Sequence, residues 1–186
     1  MQWVIGIDEA GRGPLAGPMS IGAVALPLNE NDWKFWQGLK DSKKLSEKKR
    51  EEWFAHIHAK QIKYAVTLVS AAVIDEVGLT RAAQQGTHDS ISRLGIGSKN
   101  THVLLDWGLS VSVEWKQTQY VKGDENIPVI ALASIVAKVT RDHHMLGLAK
   151  DFPAYGFEKH KGYGTRDHYE ALKEHGLCTE HRRSFL

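Results

Sequence analysis

The hydrophobic pattern of the chain opens on Trp3-Val4-Ile5-Gly6-Ile7, an apolar run of strand length that ends on two acids and predicts a buried strand. Ser20 to Leu26 predicts a second strand, a hairpin partner of the first. Ile62 to Val69 alternates and predicts a third. His102 to Asp106 predicts a fourth, ending on an acid, and Ser110 to Val121 holds at least one short strand more. Helical periodicity follows Ser46, a suitable N-cap, through Ile57, with Trp53, Phe54 and Ile57 on one face. A second helix is expected over residues 81 to 94, weakened by Gly86. The longest runs from Pro128, which suits a first helical turn, to about Ala149. The last spans Arg166 to His175, capped by Thr165 and ended by Gly176. Residues 27 to 36 and 152 to 164 read as loops. Three consecutive strands followed by alternating strands and helices predict an α/β domain: a mixed β-sheet flanked by helices, with a C-terminal helical segment.

Composition narrows this only slightly. The 186 residues suit one domain, taken as residues 1–186. The formal net charge is +2 and the pI about 8.6, too mild to establish nucleic-acid binding by itself. Cys178 is the sole cysteine, which excludes an internal disulfide and a cysteine-based zinc site and fits a reducing, cytoplasmic setting. No apolar run reaches the length of a membrane span, and a core strand begins where a signal peptide would lie.

The chemistry concentrates where the first strand ends. Asp8 and Glu9 lead into Ala10-Gly11-Arg12-Gly13-Pro14-Leu15-Ala16-Gly17-Pro18. Paired buried acids repel each other and lose hydration, so they call for a compensating cation. Glycines let backbone approach a ligand closely. Acids for a metal beside an open backbone loop suit a phosphodiester. Asp106 and Asp124 also fall at or just after strand ends, where an open α/β sheet forms its ligand crevice. Such hard oxygen donors suit Mg²⁺ or Mn²⁺ rather than zinc. One geometric difficulty stands out. Adjacent strand residues face opposite ways, so either the strand has ended by Glu9 or Glu9 contributes through its carbonyl. Asp142, in Thr140-Arg141-Asp142, is a rival ligand whose plainer reading is an ion pair on the long helix.

The string from Asp8 to Pro18 closely resembles the opening motif of the type 2 ribonucleases H, the bacterial ribonuclease HII family. Five further stretches match that family: Asp41 to Ser46, Val103 to Asp106, Ala133 to Val139, Lys159 to Thr165, and His181 to Phe185. The resemblance implies a ribonuclease H-like fold. It implies an endonuclease that hydrolyses the RNA strand of RNA–DNA hybrids and nicks duplex DNA 5′ of embedded ribonucleotides, leaving 3′-hydroxyl and 5′-phosphate ends. A role in ribonucleotide removal during DNA replication and repair follows. The family's metal-binding acids fall on Asp8, Glu9, Asp106 and Asp124, for two Mg²⁺ or Mn²⁺ ions. Its 2′-hydroxyl-reading triplet falls on Gly11, Arg12 and Gly13, and its junction tyrosine on Tyr163. Lys43 and Lys44 become phosphate contacts, and a monomer is expected. The family usually has glycine directly after the third acid, whereas Trp107 stands here before Gly108. A different metal nuclease on the same fold, such as a resolvase or transposase core, and a non-catalytic nucleic-acid-binding module are the alternatives.

Overall fold

The computed structural model describes residues 2–28, 39 and 45–186. Lys43, Lys44 and most of the expected loop at 27 to 36 lie outside the described residues. Five strands form one sheet in the order β3-β2-β1-β4-β5: β1 Trp3–Ala10, β2 Met19–Pro27, β3 Lys63–Val69, β4 Thr101–Asp106 and β5 Lys116–Tyr120. β1 pairs antiparallel with β2, and β2 with β3, whereas β4 and β5 run parallel to β1. The sheet is therefore mixed, as expected.

Alternation along β1 divides the core. Ile5 and Ile7 face one apolar layer with Ile21, Val103 and Leu105; Val4 faces the other with Val24 and Leu26. On the first side lie α2, Ala71–Val77, and α3, Leu79–Arg93. On the second lie α1, Glu47–Ala59, and α5, Pro128–Asp151, with the short α4, Gly123–Asn126, leading into the latter. A short α6, Phe157–His160, and α7, Arg166–His175, close the chain.

The long helix α5 lies directly on β1 and β2 because two glycines make room for it. A Cβ on Gly6 would come within 2.2 Å of the Val129 carbonyl oxygen, and one on Gly22 within 2.3 Å of the Ala133 oxygen. Gly86, which weakened the expectation of α3, has the same explanation: its Cβ would meet Ile21 and Val69 at 2.7 Å. Helix propensity is overridden there by the need for close packing on the sheet.

Four features differ from expectation, the first being that the stretch 152 to 164, expected as a loop, holds α6. β1 continues three residues beyond Ile7, held by ladder pairs Glu9–Ile21 and Ala10–Ser20. The helix expected to start near residue 81 is preceded by α2, which Ser70 caps by accepting the Val73 N–H. Asp124 stands in a helical turn rather than a simple one, after Lys122 in the left-handed region at φ 55°. The caps Ser46 and Thr165 act as expected, accepting from the N–H groups of Lys49 and His168. Among the described residues no helix is long and apolar enough to cross a membrane.

Candidate active site

The parallel register Ile7–Leu105 puts the next residues of the two strands, Asp8 and Asp106, side by side at the carboxyl end of the sheet. Asp8 is fully buried and Glu9 and Asp106 are partly so. One carboxylate oxygen from each of Asp8, Glu9 and Asp106 lies within 4.8 Å of the others. Of the two alternatives for Glu9, the strand has not ended there, and one of its side-chain oxygens lies with those of Asp8 and Asp106 all the same. The β1–β4 ladder stops at Ile7, so no neighbouring strand walls off Glu9 on that side. One carboxylate oxygen of Glu9 lies with those of Asp8 and Asp106. Arg12 holds it there, Nη1 to Oε1 at 3.3 Å.

Asp106 is fixed by its other neighbour, accepting the Gly123 N–H on Oδ1 at 2.9 Å. That bond ties the end of β4 to α4, which carries the buried Asp124. Asp124 thus sits on the element adjoining the acids, although the close group of oxygens is made by the other three. Asp142 is 2.7 Å from the Lys138 ammonium, the i,i+4 ion pair expected of it. A set of carboxylate oxygens gathered this tightly fits a hard divalent cation.

A cleft of about 370 Å³ opens beside the acids, lined by Glu9, Gly11, Arg12, Gly13, Ser134, Lys138 and Tyr163, with Arg50 from α1 at its edge. The glycine loop and the tyrosine therefore share one cavity with Glu9. Ser134 and Lys138 lie one helical turn apart on α5 and face the same space. Tyr163 is 42% exposed, and its ring centroid is 6.0 Å from Lys138 Nζ and 5.8 Å from Arg141 Cζ, within cation–π range. Trp107 is 63% exposed, one residue after Asp106. Among the described residues it has no side-chain hydrogen bond or ion pair.

The described sequence matches the family model for ribonuclease HII over residues 5–186. The chain belongs to the ribonuclease HII family. A ribonuclease HII of Bacillus cereus is 46% identical over 185 residues, covering the whole of this chain and 69% of that protein. Among solved structures, the ribonuclease HII of Archaeoglobus fulgidus, determined in complex with PCNA, superposes with a TM-score of 0.80 at 28% identity over 98% of this chain and 95% of that one. The ribonuclease H2 of Pyrococcus horikoshii gives 0.78 at 27% over 98% and 93%. Membership of the family makes this chain a nuclease, a phosphodiester hydrolase, with the ribonuclease H fold.

Several residues at or beneath the site were given no role by the sequence. Arg50 belongs to a lysine-rich helix start, where charge usually means solvent. Arg141 and Arg182 are fully buried, and so, nearly, are His168 and His181. His181 and Arg182 fell inside a matched stretch, but Arg141 and His168 did not, and the carbonyls that Arg141 and Arg182 bind lie far along the chain or in other elements.

Proposed function

We propose that this chain is an endoribonuclease that cuts the RNA strand of RNA–DNA hybrids and nicks duplex DNA on the 5′ side of an embedded ribonucleotide, leaving 3′-hydroxyl and 5′-phosphate ends. Residues 1–186 act as one catalytic unit in this reading. The observation that carries it is the group of three carboxylates, Asp8, Glu9 and Asp106, opening onto a cleft floored by Gly11-Arg12-Gly13.

Asp8, Glu9, Asp106 and Asp124 are the residues that would hold two Mg²⁺ or Mn²⁺ ions. Such a pair, when bound, activates water and stabilises the leaving oxygen of an in-line phosphodiester displacement. The chain's own residues do the rest. Burial of Asp8 and the Arg12–Glu9 ion pair keep the carboxylates fixed before substrate arrives. Gly11, Arg12 and Gly13 bring main-chain groups to the ribose, whose 2′-hydroxyl is the sugar feature separating RNA from DNA. Tyr163 packs its ring on the sugar at the junction. Arg50 and Lys138 supply positive charge along the cleft, and Lys43 and Lys44 contact phosphates, which positions the duplex.

The test uses one labelled duplex with a single ribonucleotide and its all-DNA twin, with Mg²⁺, Mn²⁺ or EDTA. A metal-dependent nick 5′ to the ribonucleotide, absent from the twin, is the expected result. Cutting of the twin would instead indicate a general DNA nuclease on this fold.

A further inference from the structure

Beneath the cleft two buried guanidiniums spend their hydrogen bonds on main-chain carbonyls. Arg182 donates from Nη2 to Gly11 O at 2.7 Å and to Gly17 O at 2.9 Å, from Nη1 to Arg12 O at 2.9 Å, and from Nε to Gly17 O at 3.0 Å. Arg141 donates to Pro18 O at 2.8 Å, Lys161 O at 2.9 Å and Ala16 O at 3.2 Å. A buried cation is costly, and its usual partner is a carboxylate. Here the charge is spread over the carbonyl ends of the loop that floors the cleft.

The consequence follows from peptide geometry. The described chain contains no cis peptide bond, and in a trans peptide the C=O and the next N–H point in opposite directions. Arg182 draws the carbonyls of Gly11 and Arg12 inward. The N–H groups of Arg12 and Gly13 therefore point away from it, on the side where these residues line the cleft. A positive charge on a carbonyl also polarises its peptide, making the N–H a stronger donor. Gly11 permits this geometry: its φ is +81°, and a Cβ would strike Arg141 Nε at 2.0 Å.

Arg182 is itself held in place. Its own N–H donates to Leu15 O at 2.8 Å. The next two residues, Arg183 and Ser184, donate their N–H groups to the Asp75 carboxylate at 2.8 and 3.0 Å. The end of the chain is thus clamped to α2 with its arginine under the glycine loop.

We propose that Arg182 is a positioning residue for ribose recognition: its fork on the Gly11 and Arg12 carbonyls aims the N–H groups of Arg12 and Gly13 at the 2′-hydroxyl oxygen, and so sets the preference for ribonucleotide over deoxyribonucleotide. This rests on the functional reading above. Arg141 braces the same loop from the other side and joins it to the Lys161–Tyr163 segment.

The test is binding of the full chain, in EDTA, to two duplexes that differ only in one ribonucleotide, read by fluorescence anisotropy. One directed hydrogen bond corresponds to about a tenfold preference of the wild type for the ribonucleotide duplex. Arg182→Lys keeps a buried cation and much of the volume but loses the planar fork. Its preference is expected to fall to within about twofold of unity, while its affinity for the all-DNA duplex stays within about twofold of wild type. Arg182→Gln, checked for folding by its melting temperature, should behave alike. A lysine variant that keeps the full preference, or that loses affinity for both duplexes by one factor, overturns the proposal. A wild-type chain without preference overturns both the role of the glycine triplet and that of Arg182, and does so before any variant is compared.

Discussion

The Nε2 atoms of His168 and His181 face each other at 3.0 Å, with both rings buried. Their protons can be assigned from the partners at the far ends. The Tyr163 carbonyl can only accept, so His168 Nδ1, 2.9 Å away, carries its proton. The Cys178 main-chain N–H can only donate, so His181 Nδ1, 2.9 Å away, is bare. His181 Nε2–H then donates to a bare His168 Nε2. One proton fills the space between the rings, and a second would set N–H against N–H. Burial lowers the pKa of His181 to about 4, with His168 adding to the effect, and burial lowers that of His168 as well.

A loss of stability in acid follows. For His181 between the unfolded value of 6.5 and the folded value of about 4, the unfolded chain takes up a proton that the folded chain refuses, so stability falls as pH falls. The contribution is complete above pH 6.5 and gone near pH 4. Its size is of the order of 3 kcal/mol. Melting temperatures across that range should drop less steeply for His181→Gln than for wild type. Superimposable slopes would show that the pair does not titrate this way.

Gly11 and Gly13 should separate stability from activity. An alanine at Gly11 meets both a left-handed φ and the Arg141 side chain, and is expected to cost at least 1–3 kcal/mol, about the range for such strain. Gly13 has open space around its Cβ position and no positive φ. Gly13→Ala should melt within about 0.5 kcal/mol of wild type, as a surface substitution does. It should still cleave poorly, because its methyl enters the cleft. Thermal melts and cleavage rates on the same preparations check both; an active Gly13→Ala enzyme would remove this residue from substrate contact.

The contrast between these glycines shows how far the site was legible in sequence. The triplet could be picked out only through the family resemblance, since Gly-Arg-Gly by itself is usually just a turn, and the acids because carboxylates after a buried strand are expensive. Asp8 and Asp106 could be placed at one crevice because both fall at strand ends; that their strands are neighbours came from the structure. What lay beyond reach were contacts made by ordinary residues from far along the chain. His168 and His181 are an unremarkable pair until tertiary packing sets their rings together. Arg182 reads as part of a basic tail, and its fork on Gly11 joins the two ends of the chain. The helix α2 was missed because seven residues show too little of a 3.6-residue period to count. For Glu9, the parity of a strand says where a side chain starts, not where its carboxylate ends, and the nearness of its oxygen to those of Asp8 and Asp106 needed the structure.

Tyr163 should matter most where the ribonucleotide is alone. Its ring lies in the cleft between Lys138 and Arg141, with the hydroxyl not needed for packing on a sugar. Tyr163→Ala is expected to lower kcat/KM on a single embedded ribonucleotide by about 5- to 150-fold, the equivalent of losing one aromatic stacking contact. A run of ribonucleotides should suffer less, and Tyr163→Phe should remain near wild type on both. Equal losses on the two substrates would mean that the ring holds the cleft together rather than reading the junction.

The most direct test of the site is Asp8→Asn, which keeps the shape of a fully buried side chain and removes its charge beside Glu9 and Asp106. Losing several kcal/mol of charge stabilisation corresponds to a fall in cleavage rate of about a hundredfold or more. Rates on the single-ribonucleotide duplex should fall by that much in both Mg²⁺ and Mn²⁺, with duplex affinity largely kept. An Asp8→Asn enzyme that still cuts at near wild-type rate would contradict the assignment of the carboxylate group as the catalytic centre.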